Sequence, residues 1–143
     1  MRVSDVLASK GSDAIYTIKP EASIRELLDV LADRNIGAMV VSDDGETMIG
    51  IVSERDVVRK LRDVENARDV TVASIMTTDV QVAGPDDSFK SLMIAMTEHR
   101  VRHIPVLDDG RLVGVLSIGD AVKHRMEQLE FERDQLNKYV SGG

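Results

Sequence analysis

The apolar positions of the chain alternate between the spacing of a helix and the short runs typical of strands. Between residues 24 and 35 the spacing is helical. The four residues on the apolar face are Ile24, Leu27, Leu28 and Leu31. Just before them, Ser23 and Glu26 form an S-x-x-E pattern, which is typical of a capping box and predicts that the helix begins here.

Apolar runs on both sides of this helix predict strands. AIYTI precedes the helix, and AMVVS and TMIGIVS follow it on either side of an Asp-Gly pair, a strong short-range signal of a β-hairpin. A further helix is expected from about Glu54 to Val64. The pattern therefore describes a unit of strand, helix, strand, strand and helix.

The same unit occurs twice. Pro20, Ser23, Leu27, Asp43, Asp44 and Gly45 recur 65 residues later as Pro85, Ser88, Leu92, Asp108, Asp109 and Gly110. After the turn the offset is 64, and Gly50, Ser53, Asp56 and Val58 recur as Gly114, Ser117, Asp120 and Val122. The second unit predicts strands at VQV, HIPVL and RLVGVLS, a helix at SFKSLMIAMTEH and another that begins near Ile118. Because one unit is too small to bury both faces of its strands, we expect the two to pack together.

These patterns predict a first repeat at residues 1–64, a linker at 65–74, a second repeat at 75–125 and a C-terminal helical extension at 126–143. The tail from Ala121 to Val140 carries a stripe spaced alternately four and three residues apart, close to a heptad. Its members are Val122, Met126, Leu129, Arg133, Leu136 and Val140. Two interpretations stay open, packing back on the same domain or contact in a dimer, because Arg133 interrupts the stripe.

Composition and charge narrow the possible functions. The chain has 143 residues, 43% of them apolar but only 3% aromatic, so its core is expected to be aliphatic. It has no cysteine, which excludes disulfides and thiolate chemistry and suits a reducing compartment. The net charge of −7 opposes binding to nucleic acid or an anionic membrane. With neither a secretory leader nor an apolar span in view, we predict a cytoplasmic protein.

The repeated motif, Ser53 to Asp56 and Ser117 to Asp120, allows two interpretations. Each Ser and Asp can form a capping box, which needs no ligand. Alternatively, a helix that begins after a strand presents backbone N–H groups to a phosphate, while the acidic side chain accepts hydrogen bonds from ribose hydroxyls. Two such helix ends would suit nucleotides.

The phrases GIVSERDVVRKL and VRHIPVLDDGRLVGVLSIGD resemble those of the tandem cystathionine-β-synthase (CBS) domain pair, or Bateman module. The resemblance covers the chain from Met1 to about Arg125. It implies an α/β (α+β) fold of two βαββα repeats packed with pseudo-twofold symmetry, here with an extended C-terminal helix. It also implies two clefts for AMP, ADP, ATP, NAD(H) or S-adenosylmethionine.

By this resemblance each motif serves one cleft. In the second-motif cleft, Asp120 would hold the ribose and Ser117 and Gly119 the phosphate. The base would be enclosed by Thr17, Gly37, Ala38 and Val115, and the phosphate charge would be met by Arg102 and His103. In the first-motif cleft, Asp56 would hold the ribose, Ser53 and Arg55 the phosphate, and Ile51 and Val82 the base. Arg102 and His103 occupy the place of Gly37 and Ala38, so the two clefts are not expected to be equivalent.

No metal site and no catalytic cofactor are expected. His99 and His103 are four residues apart, but the helix should end near Arg100, between them, and no further ligands follow. The phosphate-binding loop, the dinucleotide fingerprint and the nucleophile elbow are all missing, so we do not expect an enzyme.

We therefore predict a regulatory module that binds an adenine nucleotide as an energy sensor and passes occupancy through a homodimer or to a protein partner. The alternative is a structural or interaction protein with vestigial clefts, which docks a partner through its C-terminal helix.

Overall fold

The computed structural model describes residues 1–10 and 15–142. The first half contains helix α1 (Val3–Ser9), strand β1 (Thr17–Ile18), helix α2 (Ile24–Arg34), strands β2 (Ala38–Val41) and β3 (Gly50–Ser53) and helix α3 (Glu54–Lys60). A 3₁₀ turn at Ala67–Asp69 leads to helix α4 (Val72–Ile75). The second half contains helix α5 (Phe89–His99), strands β4 (His103–Asp108) and β5 (Arg111–Ser117) and helix α6 (Ile118–Ser141).

The two sheets are built alike but are not identical. In the first, β1 pairs with β2 in parallel and β2 pairs with β3 antiparallel. In the second, β4 pairs antiparallel with β5 through a register shift at Val106 and Leu107. The predicted strand VQV does not form. A single parallel bridge from Ala83 to Val106 stands in its place. The predicted strand AIYTI is reduced to Thr17–Ile18, and its Ala14 lies outside the described residues.

Serine side chains begin four of the helices. The hydroxyls of Ser23, Ser53, Ser88 and Ser117 each accept a hydrogen bond from the backbone amide three residues later. These contacts satisfy amides that the first turn of a helix otherwise leaves without a partner. The helical spacing after each serine then turns one apolar face towards the core.

The short helices α1 and α4 are exchanged between the halves. The amides of Val3 and Ser4, at the start of α1, donate to the carbonyls of Asp87 and Pro85. In the same way, the amides of Val72 and Ala73 in α4 donate to the carbonyls of Ala22 and Pro20. Each half is therefore completed by a helix that precedes the other half in the sequence. Neither helix follows from the apolar spacing, since each is too short for a periodic pattern.

Two aliphatic cores result from this exchange. The first contains Ile24, Leu27, Met39, Val41 and Val52 together with Val72 and Ile75 of α4. The second contains Phe89, Leu92, Ile104, Val106 and Leu116 together with Val3 and Val6 of α1. Burial of apolar surface in both cores is the main source of stability.

The last helix leaves the body of the domain. Ala121 is its one fully buried residue in the described part of the chain. From Met126 onwards its apolar side chains are exposed. The predicted helix that starts near Ile118 is confirmed and runs 24 residues, while the predicted helix from Glu54 ends at Lys60, short of Val64.

Candidate functional site

An open cavity of about 460 Å³ lies between the halves, and we call it cleft A. Its floor is the start of α6, with Ser117 and Asp120, and the adjoining strand residue Val115. Its walls come from the other half of the chain, at the end of α2 and the start of β2. The wall residues include Arg34, Asn35, Ile36, Gly37 and Ala38, and the rim carries Lys10, Ile15 and Tyr16. The cleft is thus built by both repeats.

Asp120 lies in the first turn of α6, lines the cleft and uses one carboxylate oxygen, Oδ2, for its contacts in the described structure. Its Oδ2 accepts a hydrogen bond from the Ser117 amide at 2.9 Å, and the Ser117 hydroxyl accepts one from the Asp120 amide at 3.1 Å. The same Oδ2 lies 3.0 Å from the ammonium of Lys10. Within residues 1–10 and 15–142, no side chain or amide hydrogen-bonds to the other oxygen, Oδ1. Asp120 therefore caps its helix and still has an acceptor to offer.

Lys10 supplies a cation that is held in place at the rim. Its ammonium also donates to the carbonyl of Val115 at 2.6 Å, so it spans strand β5 and the first turn of α6. Burial raises the pKa of Asp120, but the hydrogen bond from the Ser117 amide and the Lys10 ammonium outweigh it and leave that pKa below its ordinary value. Asp120 is therefore an anion at neutral pH.

His103 forms the wall between cleft A and a second cavity at the start of α3. The position where a Cβ would stand on Gly37 is 3.4 Å from the ring carbon Cε1 of His103, so the lack of a side chain at Gly37 makes room for the imidazole. Burial lowers the pKa of His103, and the nearby Lys10 and Arg102 lower it further, against an opposing effect of Asp120 and Glu54. At neutral pH the ring is mostly uncharged, so it offers a hydrogen bond rather than the phosphate-binding charge predicted for it.

A second cavity, cleft B, of about 340 Å³ lies at the start of α3. It carries three basic residues, Arg55, Arg59 and Lys60, alongside Ser53, Asp56, Ile51 and Thr77. Ala38 and His103, which correspond to each other by the repeat offset, line both clefts. The two cavities are therefore separated by one pair of equivalent residues.

Asp56 is more fully engaged than Asp120. Its Oδ2 accepts hydrogen bonds from the amide of Ser53 at 2.9 Å and from its hydroxyl at 3.1 Å. Its Oδ1 accepts a hydrogen bond from the Thr77 hydroxyl at 3.2 Å and lies 3.3 Å from the ammonium of Lys60. Both oxygens have partners, so a ribose in cleft B must displace one. This difference between the motifs is not visible in their shared Ser-x-x-Asp pattern.

Most predicted site residues lie at the two clefts, and a few do not. Cleft A brings together Gly37, Ala38, His103, Val115, Ser117 and Asp120, and cleft B brings together Ile51, Ser53, Arg55 and Asp56. Four predicted residues are not among the lining residues: Thr17, Val82, Arg102 and Gly119. Thr17 pairs with Val40 inside the first sheet, and Val82 is an exposed residue where no strand forms. The side chain of Arg102 is exposed, and Gly119 lines a groove on the outer side of α6.

The helix starts expose fewer amides than the sequence predicts. The carbonyl of Arg102 accepts a hydrogen bond from the Ile118 amide at 2.8 Å, and the carbonyl of Gly37 accepts one from the Glu54 amide at 3.0 Å. With the capping serines, these bonds use two of the first three amides of each helix. A phosphate in either cleft therefore depends on side chains more than on the helix end.

Sequence reasoning missed six residues of cleft A: Lys10, Ile15, Tyr16, Arg34, Asn35 and Ile36. Arg34 packs over the Tyr16 ring, with its guanidinium carbon 4.9 Å from the ring centre. Arg34 and Asn35 are the end of α2, where Asn35 adopts a left-handed conformation with φ of 52°. Only Asn35 gave a signal, as a residue that commonly ends helices. Lys10 is distant in sequence from Asp120 and could not be placed before α1 was known.

The comparison with known families agrees with this geometry. The CBS domain family model matches the chain twice, at residues 3–63 and 72–127. The chain belongs to the CBS domain family. As a tandem pair, it has the predicted fold of two repeats with a C-terminal helix.

Relatives extend this assignment. The mitochondrial CBS domain-containing protein CBSX3 of Arabidopsis thaliana is 32% identical over 99% of this chain and 72% of its own length. The CBS-domain-containing protein ATU1752 of Agrobacterium tumefaciens is 37% identical, with a TM-score of 0.81 over 87% of this chain and 99% of that one. The CBS domain pair of MJ0100, solved with 5′-methylthioadenosine and S-adenosyl-L-methionine, is 26% identical, with a TM-score of 0.77 over 90% of this chain and 98% of that one.

An enzyme also contains a related region. The inosine-5′-monophosphate dehydrogenase of Nitrosopumilus maritimus is 25% identical over 99% of this chain, but the chain spans only 29% of that enzyme. The match therefore covers its CBS region and not a whole enzyme. In the described residues, no helix is long and apolar enough to cross a bilayer. The compartment predicted from composition stays a prediction.

Proposed function

We propose that this CBS pair is a regulatory module that binds an adenosine-containing ligand, such as AMP, ADP, ATP or NAD(H), in cleft A. The observation that carries the proposal is the combination of an open cavity and Asp120 Oδ1, an acceptor without a partner among the described residues. The volume of about 460 Å³ falls in the range of small-molecule sites, roughly 300–1,000 Å³. The MJ0100 pair, which binds two adenosine-containing molecules, supports the ligand class.

Each part of such a ligand has a matching group. A ribose hydroxyl donates to Oδ1 of the ionised Asp120, a charge-assisted hydrogen bond. Ile36, Ala38 and Val115 offer apolar contact to the base. Lys10 and Arg34 supply the positive charge that a phosphate needs, and the neutral His103 donates a hydrogen bond from its ring.

The proposal assigns adenosine to cleft A only. In cleft B the two oxygens of Asp56 are held by Ser53, Thr77 and Lys60. A sugar there would have to break a contact within the protein before it gained one. Cleft A presents no such cost within the described part of the chain, where Oδ1 of Asp120 has no hydrogen-bond partner.

Ligand occupancy can act through Lys10. This residue ends α1, and its contact with Asp120 joins α1 to the first turn of α6. A phosphate that draws the ammonium away from Asp120 loosens this link, and the direction of α6 then responds. A ligand changes that equilibrium only to the extent that it binds the two arrangements differently. The module would pass this change to a homodimer partner or to another protein.

Isothermal titration calorimetry with AMP, ATP, NADH and S-adenosylmethionine tests the proposal. We expect sub-millimolar binding of at least one of them to wild type, with a stoichiometry of one. Asp120→Ala should abolish it, whereas Asp56→Ala should retain it. The second variant is a matched control, since it removes the equivalent capping carboxylate from the other repeat. Binding that Asp56→Ala abolishes and Asp120→Ala leaves intact would reverse the assignment, and no heat with any ligand would refute it.

A second candidate function, docking of a protein through the C-terminal helix, is favoured by one observation. The apolar side chains of α6 beyond Met126 are exposed and make no core contact in the described structure. This function does not need the clefts. Retention of partner binding or self-association in Asp120→Ala would show that the two functions are separate.

A further inference from the structure

Helix α6 carries an apolar stripe that the domain does not cover. We call Val122, Met126, Leu129, Leu136 and Val140, with Arg133 among them, the tail stripe. The side chains of Val122, Met126 and Leu129 are 48%, 57% and 47% exposed. At about 100° per residue, the stripe lies on a different side of the helix from buried Ala121. The face towards the domain and the tail stripe are therefore distinct.

A free helix of this composition is not expected to be stable. The part from Met126 to Ser141 has about 16 residues, and isolated helices of this length are marginal in water. Among the described residues, one side-chain hydrogen bond joins this segment to the body of the domain, from Gln128 to the Met1 sulfur. A partner along the tail stripe would supply the missing burial. The chemistry of that partner can be inferred from the charged residues beside the tail stripe.

Charged residues of opposite sign flank the two halves of the tail stripe. Lys123 and Arg125 flank its first half, and Glu130 and Glu132 flank its second half. All four stand at the positions next to a heptad seam that select partner and orientation in paired helices. One copy of the helix therefore presents a basic half and an acidic half, and a second copy turned end to end would match both.

We propose that α6 pairs with α6 of a second copy of this chain in an antiparallel arrangement centred between Met126 and Leu129. In that register Met126 faces the partner's Leu129, and Leu129 faces the partner's Met126. Lys123 then lies beside the partner's Glu130, and Arg125 beside the partner's Glu132. Twofold symmetry doubles each contact and gives four complementary pairs.

Two further features fit this register. An apolar groove of about 570 Å³ runs along the first half of α6, lined by Ile118, Gly119, Val122 and Met126. The partner's Leu136 falls opposite Gly119, where the lack of a side chain leaves room for it. Arg133 faces the partner's Val122 near one end of the contact, so its guanidinium can reach solvent.

A parallel pairing fits less well. In register it places Arg133 against Arg133 in the middle of the seam, a like-charge contact away from water. It also brings only Arg125 and Glu130 together, while Lys123 and Glu132 find no opposite charge. The interrupting arginine thus favours the antiparallel orientation.

Analytical ultracentrifugation tests the assembly. Wild type should sediment as a dimer and Leu129→Glu as a monomer. Phe131→Glu is the matched control, because Phe131 is 64% exposed but lies off the stripe, and it should stay a dimer. Circular dichroism and a cooperative urea transition check that each variant is folded. A wild-type monomer, or a dimer that Leu129→Glu leaves intact, would overturn the proposal, whatever else binds the stripe.

Charge exchange tests the orientation. Lys123→Glu and Glu130→Lys should each weaken the dimer by about tenfold or more, since each turns two attractive pairs into repulsive ones. The double variant should restore the affinity to within about threefold of wild type. A parallel dimer would not respond to Lys123→Glu, and that result would contradict the antiparallel register.

A distance measurement gives an independent check. The chain has no cysteine, so Tyr139→Cys carries a single spin label at an exposed position. The antiparallel register places the two labels about 35 Å apart, from a rise of about 1.5 Å per residue. A parallel pair places them under about 20 Å apart, which would overturn the proposal.

Discussion

The ammonium of Lys10 lies 3.0 Å from the carboxylate of Asp120 and joins the end of the first helix to the first turn of the last. The other repeat has a counterpart, in which Lys60 lies 3.3 Å from Asp56. Each lysine also donates to a backbone carbonyl, of Val115 or of Ile75. The two clefts thus contain the same ion pair, reached from different elements. Among residues 1–10 and 15–142, Oδ1 of Asp120 in cleft A has no hydrogen-bond partner, whereas both oxygens of Asp56 in cleft B have one.

If cleft A holds the phosphate of an adenine nucleotide, Lys10→Met should weaken AMP binding about tenfold or more. The reason is the loss of a charge-assisted hydrogen bond to phosphate. Binding of adenosine, which has no phosphate, should be little changed, because its ribose is assigned to Oδ1 of Asp120 whereas Lys10 contacts Oδ2. Calorimetry on both ligands measures this difference, with Lys60→Met as the control. Equal losses for AMP and adenosine would contradict the role of Lys10.

The capping serines should contribute to stability in both repeats. Ser117→Ala and Ser53→Ala are each expected to lower the free energy of unfolding by about 1 kcal/mol, because each removes a hydrogen bond to an amide in the first turn. Urea denaturation measures the effect. Ser141→Ala, at the exposed end of α6, should change the free energy by less than about 0.5 kcal/mol. Similar losses at all three sites would argue against a capping role.

Folding stability should fall as the pH drops below neutral because of His103. Burial lowers the pKa of its ring below the ordinary 6.5, so the unfolded chain binds a proton more readily than the folded one. Stability is therefore full above about pH 6.5 and declines as the pH falls from there towards the folded-state pKa. Urea midpoints between pH 7.5 and pH 5 measure the decline.

His103→Gln should flatten that profile, and His99→Gln, at an exposed helix end, should leave it unchanged. The carboxyls of Asp44 and Asp120, whose pKa is lowered, affect folding stability in a different pH range. Their stabilising effect is present above their ordinary pKa of 3.8 and is lost only as the pH falls further. A slope between pH 7.5 and pH 5 that persists in His103→Gln would assign the effect to another group.

Two equivalent glycines should respond differently to alanine. A Cβ on Gly50 would stand 2.6 Å from the backbone carbonyl oxygen of Thr77, which bridges to the neighbouring Ile51 and cannot easily move. A Cβ on Gly114 would stand at the same distance from the end of the Leu7 side chain, which can turn aside. Gly50→Ala should therefore cost about 2 kcal/mol of unfolding free energy, and Gly114→Ala less than about 1 kcal/mol. The reverse order in thermal or urea unfolding would contradict this explanation.

The repeat could be predicted from the sequence because the patterns that define its helices and turns are local. Serine caps, helical spacing and Asp-Gly turns each act within a few residues, and they located α2, α5, both hairpins and the start of α6. The strand VQV was wrong because a run of three residues cannot specify pairing, and only Ala83 forms a bridge to Val106. The capping box predicted from the S-x-x-E pattern at Ser23 was right in part. The Ser23 hydroxyl accepts a hydrogen bond from the Glu26 amide, as in a simple N-cap.

The residues that line the clefts were harder to predict from the sequence. Gly37, Val115 and Asp120 could be placed at cleft A through the family resemblance, whereas Lys10 and Tyr16 could not. Lys10 ends α1, so its position depends on the exchange of α1 with the other half, whereas Tyr16 packs on the core of the first half beside Arg34. Nor could the motif show that both oxygens of Asp56 have partners, whereas the described partners of Asp120 all contact Oδ2. That difference arises from Thr77, a long-range neighbour, and from Lys60, which both contact Oδ1 of Asp56.

The exchange of α1 and α4 also limits how the chain can be divided. A cut between Lys60 and Val70 would leave the N-terminal piece with Val3 and Val6 exposed and without the α4 residues that close its own core. The C-terminal piece would lack its closing helix in turn. Separately expressed pieces should aggregate or stay unfolded, yet associate when mixed, since each holds what the other lacks. The pair of repeats, and not the single repeat, is therefore the unit that can fold on its own and so recur in different proteins.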